Sequence, residues 1–435
     1  MNKAFWAIAI CLFSYGLLLF IPPEIQARDY LDLTADTRTI PTAVPYFINK
    51  KTGLADLAGK EYASILSRSL AFHGFLSTIA PDKYAGMQDT DWKALGAEFA
   101  VIGQYERTAD KIVFELRLLE IQNGQVVIGK RYRGLAKDSN LMLFKFCDEV
   151  IYKLTGEQGV ALSLITFVSD GTGKKEIYVS DIIGEDVRQV TKHRFLAVSP
   201  RFSPDARKLA YTSYHRGNPN LYITDLSQTT TRCLSWRPGL NLAPAFSPDG
   251  NRMIFTMSRE GDSDLYLTDT EAPPRKQVRI LAQLTSNSGL NVSPTWSPDG
   301  KEIAFVSDRG GSPQIYIMDL GNKHVRRLTY EGNYNTSPSW SPKGDLIAYS
   351  GQAGGVYQLF TIDPKGDKPA TQITKNWGSY ESPSWSPDGR QIVFSRKRND
   401  KQEICAIFKN GSGLRVLFKL PGQQSLPQWS SRLPY

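Results

Sequence analysis

Ser293-Pro294-Thr295-Trp296-Ser297-Pro298-Asp299-Gly300 decides the fold, because the chain writes this phrase six times. It stands earlier as Ser199-Pro200-Arg201-Phe202-Ser203-Pro204-Asp205 and as Ala243-Pro244-Ala245-Phe246-Ser247-Pro248-Asp249-Gly250. Later it returns as Ser337-Pro338-Ser339-Trp340-Ser341-Pro342-Lys343-Gly344, as Ser382-Pro383-Ser384-Trp385-Ser386-Pro387-Asp388-Gly389, and clipped as Leu426-Pro427-Gln428-Trp429-Ser430. Counted on the serine after each aromatic residue (203, 247, 297, 341, 386, 430), the steps are 44, 50, 44, 45 and 44 residues. A strand-rich repeat of that length marks a propeller blade.

Each repeat reads as a four-stranded meander. In the third, residues 293–297 form a short strand, Pro298-Asp299-Gly300-Lys301 turns, and residues 302–307 alternate as a second strand. The turn is chemically specified: Pro presets φ, Asp tolerates the next position and Gly supplies a positive φ. Residues 314–320 and 325–329 supply the third and fourth strands. One such sheet has two bare edges and cannot cover its own faces, so it needs copies of itself. The aromatic residue of each phrase is expected to pack between blades.

Ring closure follows from what the ends lack. The sixth phrase stops near Tyr435 without outer strands, whereas Leu164-Ile165-Thr166-Phe167-Val168-Ser169-Asp170 and Glu176-Ile177-Tyr178-Val179-Ser180-Asp181 have no phrase before them. They match residues 303–308 and 314–319 of the third repeat. The expected architecture is therefore an α+β two-domain chain: a small N-terminal α/β domain, residues 28–158, then a six-bladed β-propeller, residues 159–435. Its last blade is shared by both chain ends, with the C-terminal strand innermost.

Residues 1–27 carry Lys3, an apolar run from Ala4 to Phe20, and Pro22-Pro23 before Ile25-Gln26-Ala27. This reads as a secretory signal peptide, with an uncleaved anchor as the alternative. The expected location of the mature chain is outside the cytoplasm. Cys147, Cys233 and Cys405 remain beyond that segment, scattered in a way that makes neither a disulfide framework nor metal-ligand spacing. No cofactor or metal is expected. A formal charge of +9 favours acidic proteins or an anionic surface as partners, since the export signal disfavours nucleic acid.

Residues 28–160 follow a different grammar. Residues 28–39 are polar and mixed, an arm or strand; residues 44–48 read as a strand. Leu57, Tyr62, Ile65, Leu66 and Leu70 repeat at helical spacing, so residues 57–72 form a helix. Strands are expected at 99–107, 111–121 and 125–133, the last two joined at Asn123-Gly124. A second helix covers 141–154 and ends at Gly156.

Catalytic constellations are sparse. His73, His193, His215 and His324 lie far apart and no Gly-x-Ser-x-Gly occurs. The recurring Asp-Gly pairs belong to turns, and Asp170-Gly171-Thr172-Gly173-Lys174 reads as a hairpin loop. A meander instead gathers its second-to-third-strand loops and its inter-blade loops on one face. That face is expected to present Leu240, Asn241, Leu290, Asn291, Tyr334, Asn335, Tyr380 and Glu381, with arginines nearby, as a protein-binding surface.

Trp92-Lys93-Ala94-Leu95-Gly96-Ala97-Glu98-Phe99, Val101-Ile102-Gly103-Gln104, the Lys153-Leu154-Thr155-Gly156 junction and the six blades ending in Pro427-Gln428-Trp429-Ser430 resemble the TolB family, periplasmic components of the Tol-Pal system of Gram-negative bacteria. The resemblance covers nearly the whole chain. It implies a non-enzymatic, monomeric adaptor that reaches membranes only through its partners. A Pal-like outer-membrane lipoprotein would bind the propeller face, and a TolA-like inner-membrane protein would engage the arm at Arg28, Asp29, Tyr30, Leu31, Asp32 and Leu33. Such a role supports outer-membrane integrity and envelope constriction at division. A glycan-binding propeller and a propeller-type hydrolase are the alternatives from other classes.

Overall fold

Each phrase becomes the innermost strand of a four-stranded antiparallel blade. The computed structural model describes residues 39–259, 261–272, 276–286 and 289–434; the expected signal segment and Arg28, Asp29, Tyr30, Leu31, Asp32 and Leu33 lie outside them. In the third blade Asn291–Trp296, Glu302–Ser307, Gln314–Asp319 and Val325–Arg327 pair in that order. The sixth blade joins both ends: Gln424–Arg432 pairs with Ser163–Ser169, followed by Glu176–Asp181 and Val187–Gln189.

The phrase also explains a feature that its spacing did not announce. Ser199, Ala243, Ser293, Ser337, Ser382 and Leu426, each just before the proline, have positive φ between 47° and 57°. Pairing with the second strand slips at the same place in every blade. Proline has no N–H to give to a ladder, and a bulge takes it out of the pairing. Beyond the bulge Ser297 Oγ donates to Asp299 Oδ1 at 2.7 Å, Lys301 N–H donates to the same oxygen at 3.1 Å, and Gly300 takes a φ of 71°. Where the fourth phrase has Lys343, Ser341 turns to Asp345 instead, at 2.7 Å.

The aromatic residues do stitch neighbouring blades. Trp296 Nε1–H donates to Ala245 O and Trp385 Nε1–H to Ser339 O, both at 3.0 Å across the blade boundary. At the closure Trp429 Nε1–H reaches Ser163 Oγ at 2.8 Å. Burying an aromatic side chain of this kind contributes about 1.5–3 kcal/mol.

In the N-terminal domain Ile40–Ala43 lies parallel between Leu76–Ile79 and Phe99–Arg107, and Lys111–Glu120 and Val126–Leu135 extend the sheet. The strand expected at 44–48 is displaced to Ile40–Ala43 and Ile48–Asn49. Between them Tyr46 and Phe47 donate their N–H groups to Gly86 O and Gly59 O, which takes this stretch out of the ladder. Helix α1 (Leu57–Phe72) starts where Asp56 Oδ1 accepts from Gly59 N–H at 2.9 Å. Helix α2 (Ser139–Thr155) ends at Gly156, whose φ of 73° is the left-handed cap that glycine adopts readily. Tyr62, Leu66 and Leu70 of α1 and Phe146 and Val150 of α2 share one core with Val101 and Phe114 of the sheet.

That core runs on into the propeller. Phe72 at the end of α1 meets Trp429 edge-to-face at 5.9 Å, and the Arg415 guanidinium lies 4.4 Å above the Phe72 ring. Arg390 stacks 4.0 Å over Phe75, and Gln391 Nε2–H donates to Phe72 O. These propeller residues belong to the fifth and sixth blades, near the ends that carry the Ser-Pro turns. The described residues of the N-terminal domain therefore cover part of this lower face and leave the opposite, upper face open.

Candidate protein-recognition face

The upper face is made by the connections that lead from the outer strand of one blade into the inner strand of the next. A polar residue of the third strand secures each of four of these connections. Asp264 accepts from Thr285 Oγ1–H at 2.8 Å and from Asn291 Nδ2–H at 3.1 Å. Gln314 Oε1 accepts from Thr329 Oγ1–H at 2.7 Å and Asn335 Nδ2–H at 2.8 Å. Gln358 bonds Thr374 and Gly378 O; Glu176 bonds Thr191 and the N–H of Arg194. All four third-strand residues are buried. Burying such groups is tolerable because each finds partners.

This network changes the reading of the candidate residues. Asn241, Asn291, Asn335 and Tyr380 do not present their side chains to a partner; all four are buried. Asn291 holds Gly289 O at 2.8 Å and accepts from Arg309 Nη2–H at 2.8 Å; Asn241 Nδ2 donates to Arg237 O at 2.9 Å. They shape the loops from within. Of the remaining candidates, Leu290 and Tyr334 are exposed, while Leu240 and Glu381 are half-buried.

Aromatic residues outside the eight candidates dominate the exposed rim. Tyr330 is 72% exposed and Trp377 63%, joined by Phe195 and Trp236. Arg327 stacks 4.9 Å over Tyr330 and Arg398 5.4 Å over Trp377. Tyr330 and Trp377 stand shortly after the Leu-Thr and Ile-Thr pairs that close their blades, Leu328-Thr329 and Ile373-Thr374. Such a pair was a legible signal. Arginine over an exposed aromatic ring combines apolar area with positive charge, the composition of a binding hot spot.

The same face holds a histidine pair. The rings of His193 and His215 lie 4.2 Å apart, and both approach Ser213 Oγ through Nδ1, at 2.8 and 3.0 Å. Burial pushes both pKa values down, and the neighbouring His193 adds to the effect at His215. In the fifth blade, burial pushes Glu403 up, but hydrogen bonds from Lys401 and Arg396, the latter at 2.8 Å, hold it below the ordinary range.

One group of metal-ligating types exists among the described residues: His73, Cys147 and Asp148, all buried at the domain junction. The histidine's lone pair is already used, and both carboxylate oxygens are engaged. His73 Nε2 accepts from Val160 N–H at 2.8 Å, so Nδ1 carries the proton and donates to Ser69 O at 2.8 Å. Asp148 accepts from Ala161 N–H at 2.7 Å and Leu162 N–H at 3.1 Å, and burial pushes the Cys147 thiol well up. The trio does not fit a metal. It clamps the chain as it enters the propeller.

Comparison with known proteins agrees with this architecture. The TolB amino-terminal domain matches residues 33–127, and the TolB beta propeller domain matches residues 151–433. The chain belongs to the TolB family. A solved TolB from Acinetobacter baumannii is 28% identical and superposes at a TM-score of 0.78, covering 91% of this chain and 97% of that one. The Tol-Pal system protein TolB of Desulfotalea psychrophila is 47% identical over 43% of each chain. That of Desulfosudis oleivorans is 38% identical over 47% of this chain and 50% of its own. The chain spans about half the length of the curated relatives it matches. Among the described residues, no helix is long and apolar enough to cross a membrane.

Proposed function

We propose that this TolB-family chain is a non-enzymatic adaptor of the Tol-Pal system in the periplasm, binding a Pal-like outer-membrane lipoprotein with the upper face of its propeller. The observation that carries the reading is the exposed rim of aromatic rings under arginines, on the face that the N-terminal domain leaves free. Leu290 and Tyr334 contribute apolar surface, while Asn241, Asn291, Asn335 and Tyr380 hold the loops in place beneath it. Leu240 and Glu381 complete the rim. The segment at Arg28, Asp29, Tyr30, Leu31, Asp32 and Leu33 engages a TolA-like inner-membrane protein, so that one chain links both membranes at constriction.

Surface plasmon resonance with the chain immobilised tests the two contacts separately. The double variant Tyr330→Ala, Trp377→Ala should bind the soluble domain of the lipoprotein about tenfold or more weakly, as loss of central aromatic anchors does elsewhere. Unchanged affinity removes the rim from the reading. Deleting residues 28–39 should abolish binding of the TolA-like partner. The same exposed rings also suit a cell-wall glycan, because sugar faces stack on aromatic side chains. Saturable binding of peptidoglycan fragments without binding of the lipoprotein domain replaces the adaptor reading with a glycan-binding one.

A further inference from the structure

Two residues before the serine of each turn, the six inner strands carry Arg201, Ala245, Thr295, Ser339, Ser384 and Gln428. All six line a cavity of about 520 Å³ on the propeller axis. Five of these positions are neutral and one is a guanidinium. The cavity wall adds the hydroxyl-bearing residues Ser199, Ser293, Ser337 and Ser382, and none of the described lining residues carries a carboxylate.

Arg201 is poorly compensated. A guanidinium has five N–H donors in a planar fork. Among the described residues its protein acceptor is Pro200 O, 2.9 Å from Nη1. Burial pushes its pKa down to about 10, so it remains charged at neutral pH. Arg432, the other cation of the wall, is already committed: Nε–H donates to Gly159 O at 2.7 Å and Nη2–H to Gln158 O at 2.9 Å. On the upper face, by contrast, Arg396 has Glu403 as its counter-charge. Arg201 is half-buried, and a cation partly drawn out of water without an opposite charge is unfavourable; a donor-lined cavity with no carboxylate among its described residues offers a place for the missing anion.

We propose that the axial cavity is an oxyanion site in which the Arg201 fork binds a small anionic group, a phosphate or a carboxylate, with wall hydroxyls donating to its remaining oxygens. The site is separate from the aromatic rim and does not depend on the identity of the protein bound there.

Calorimetric titration of the full chain with inorganic phosphate, and in parallel with succinate, tests this at constant ionic strength in chloride. Wild type should bind at least one of the two saturably, with a rise in melting temperature. Arg201→Gln should weaken that binding about tenfold or more, the loss expected when a charge-assisted hydrogen-bonding pair is removed. Glutamine already occupies the equivalent position at Gln428, so the ring should still close, and an unchanged melting temperature without ligand checks it. Arg201→Lys, which keeps the charge and loses the fork, should fall between the two and serves if the glutamine variant is unstable. Preference for phosphate or for succinate assigns the anion class. Equal response of wild type and both variants to both anions overturns the proposal and leaves an adventitious ion only.

Discussion

Asp148 on the lower face takes the N–H groups of Ala161 and Leu162 inside the protein, whereas on the upper face Tyr330 and Trp377 stand in solvent beneath arginines. Both faces are built from the ends of the same six blades. Where the N-terminal domain docks, the buried clamp groups have partners and the apolar groups merge into one core. Where none of the described residues of that domain docks, the polar network sits one layer down and apolar rings lie outermost. A face closed within the molecule is held by internal partners, and a face kept for another molecule is braced from beneath.

That contrast is open to measurement, beginning at the seam. Trp429→Ala should cost about 3–5 kcal/mol, because a buried ring that packs on Phe72 and binds Ser163 is lost at both the closure and the domain junction. Removing residues 426–435 should unfold the propeller cooperatively. A truncated chain that melts like the full one in calorimetry contradicts closure by both ends. Asp148→Ala should cost about 2–4 kcal/mol, in the lower part of what two buried N–H groups lose with their acceptor at about 1–3 kcal/mol each. It should also split the melt into two transitions.

Asn291→Ala should lie next, at about 1–3 kcal/mol, because Asp264, Gly289 and Arg309 all lose a partner. Chemical denaturation reads its stability and surface plasmon resonance its partner affinity, and the loss of affinity should come through the loosened loop. The smallest stability change belongs to Trp377→Ala, within about 0.5 kcal/mol, although the rim reading gives it one of the larger binding losses. A large stability loss there would erase the distinction between the faces.

Acid probes the inner turns. Ser247 Oγ–H beside Asp249, and Ser297 Oγ–H beside Asp299, hold these carboxyls below their ordinary range. A depressed folded value stabilises the protein fully above the unfolded one, about pH 4, and that contribution is lost as pH falls through the folded value. Melting temperature should therefore be insensitive to these groups at neutral pH and decline below about pH 4. Asp249→Asn combined with Asp299→Asn should flatten that decline.

The fold was legible because each repeat carries its own local instructions. Pro, Asp and Gly specify the turn, the aromatic residue marks the blade boundary, and the unmatched strands at 164–170 and 176–181 announce closure. The face was legible too, since meander geometry alone gathers the inter-blade loops. The roles of residues within it were not. Asn291 and Leu290 are neighbours in the same loop, yet one is buried and the other exposed. The difference depends on Asp264, some 27 residues upstream, which receives the Asn291 amide.

Sequence alone thus determined the number of blades, the turn chemistry and the way the ends meet, because these depend on interactions within a few residues and on counting. Only the tertiary structure decided which loop residues face inward, which junction residues clamp the chain, and that Arg201 stands over a cavity without a carboxylate. Those outcomes depend on which distant strand supplies the neighbour, and a hydrogen-bond partner across a blade boundary leaves no local mark in the order of the residues.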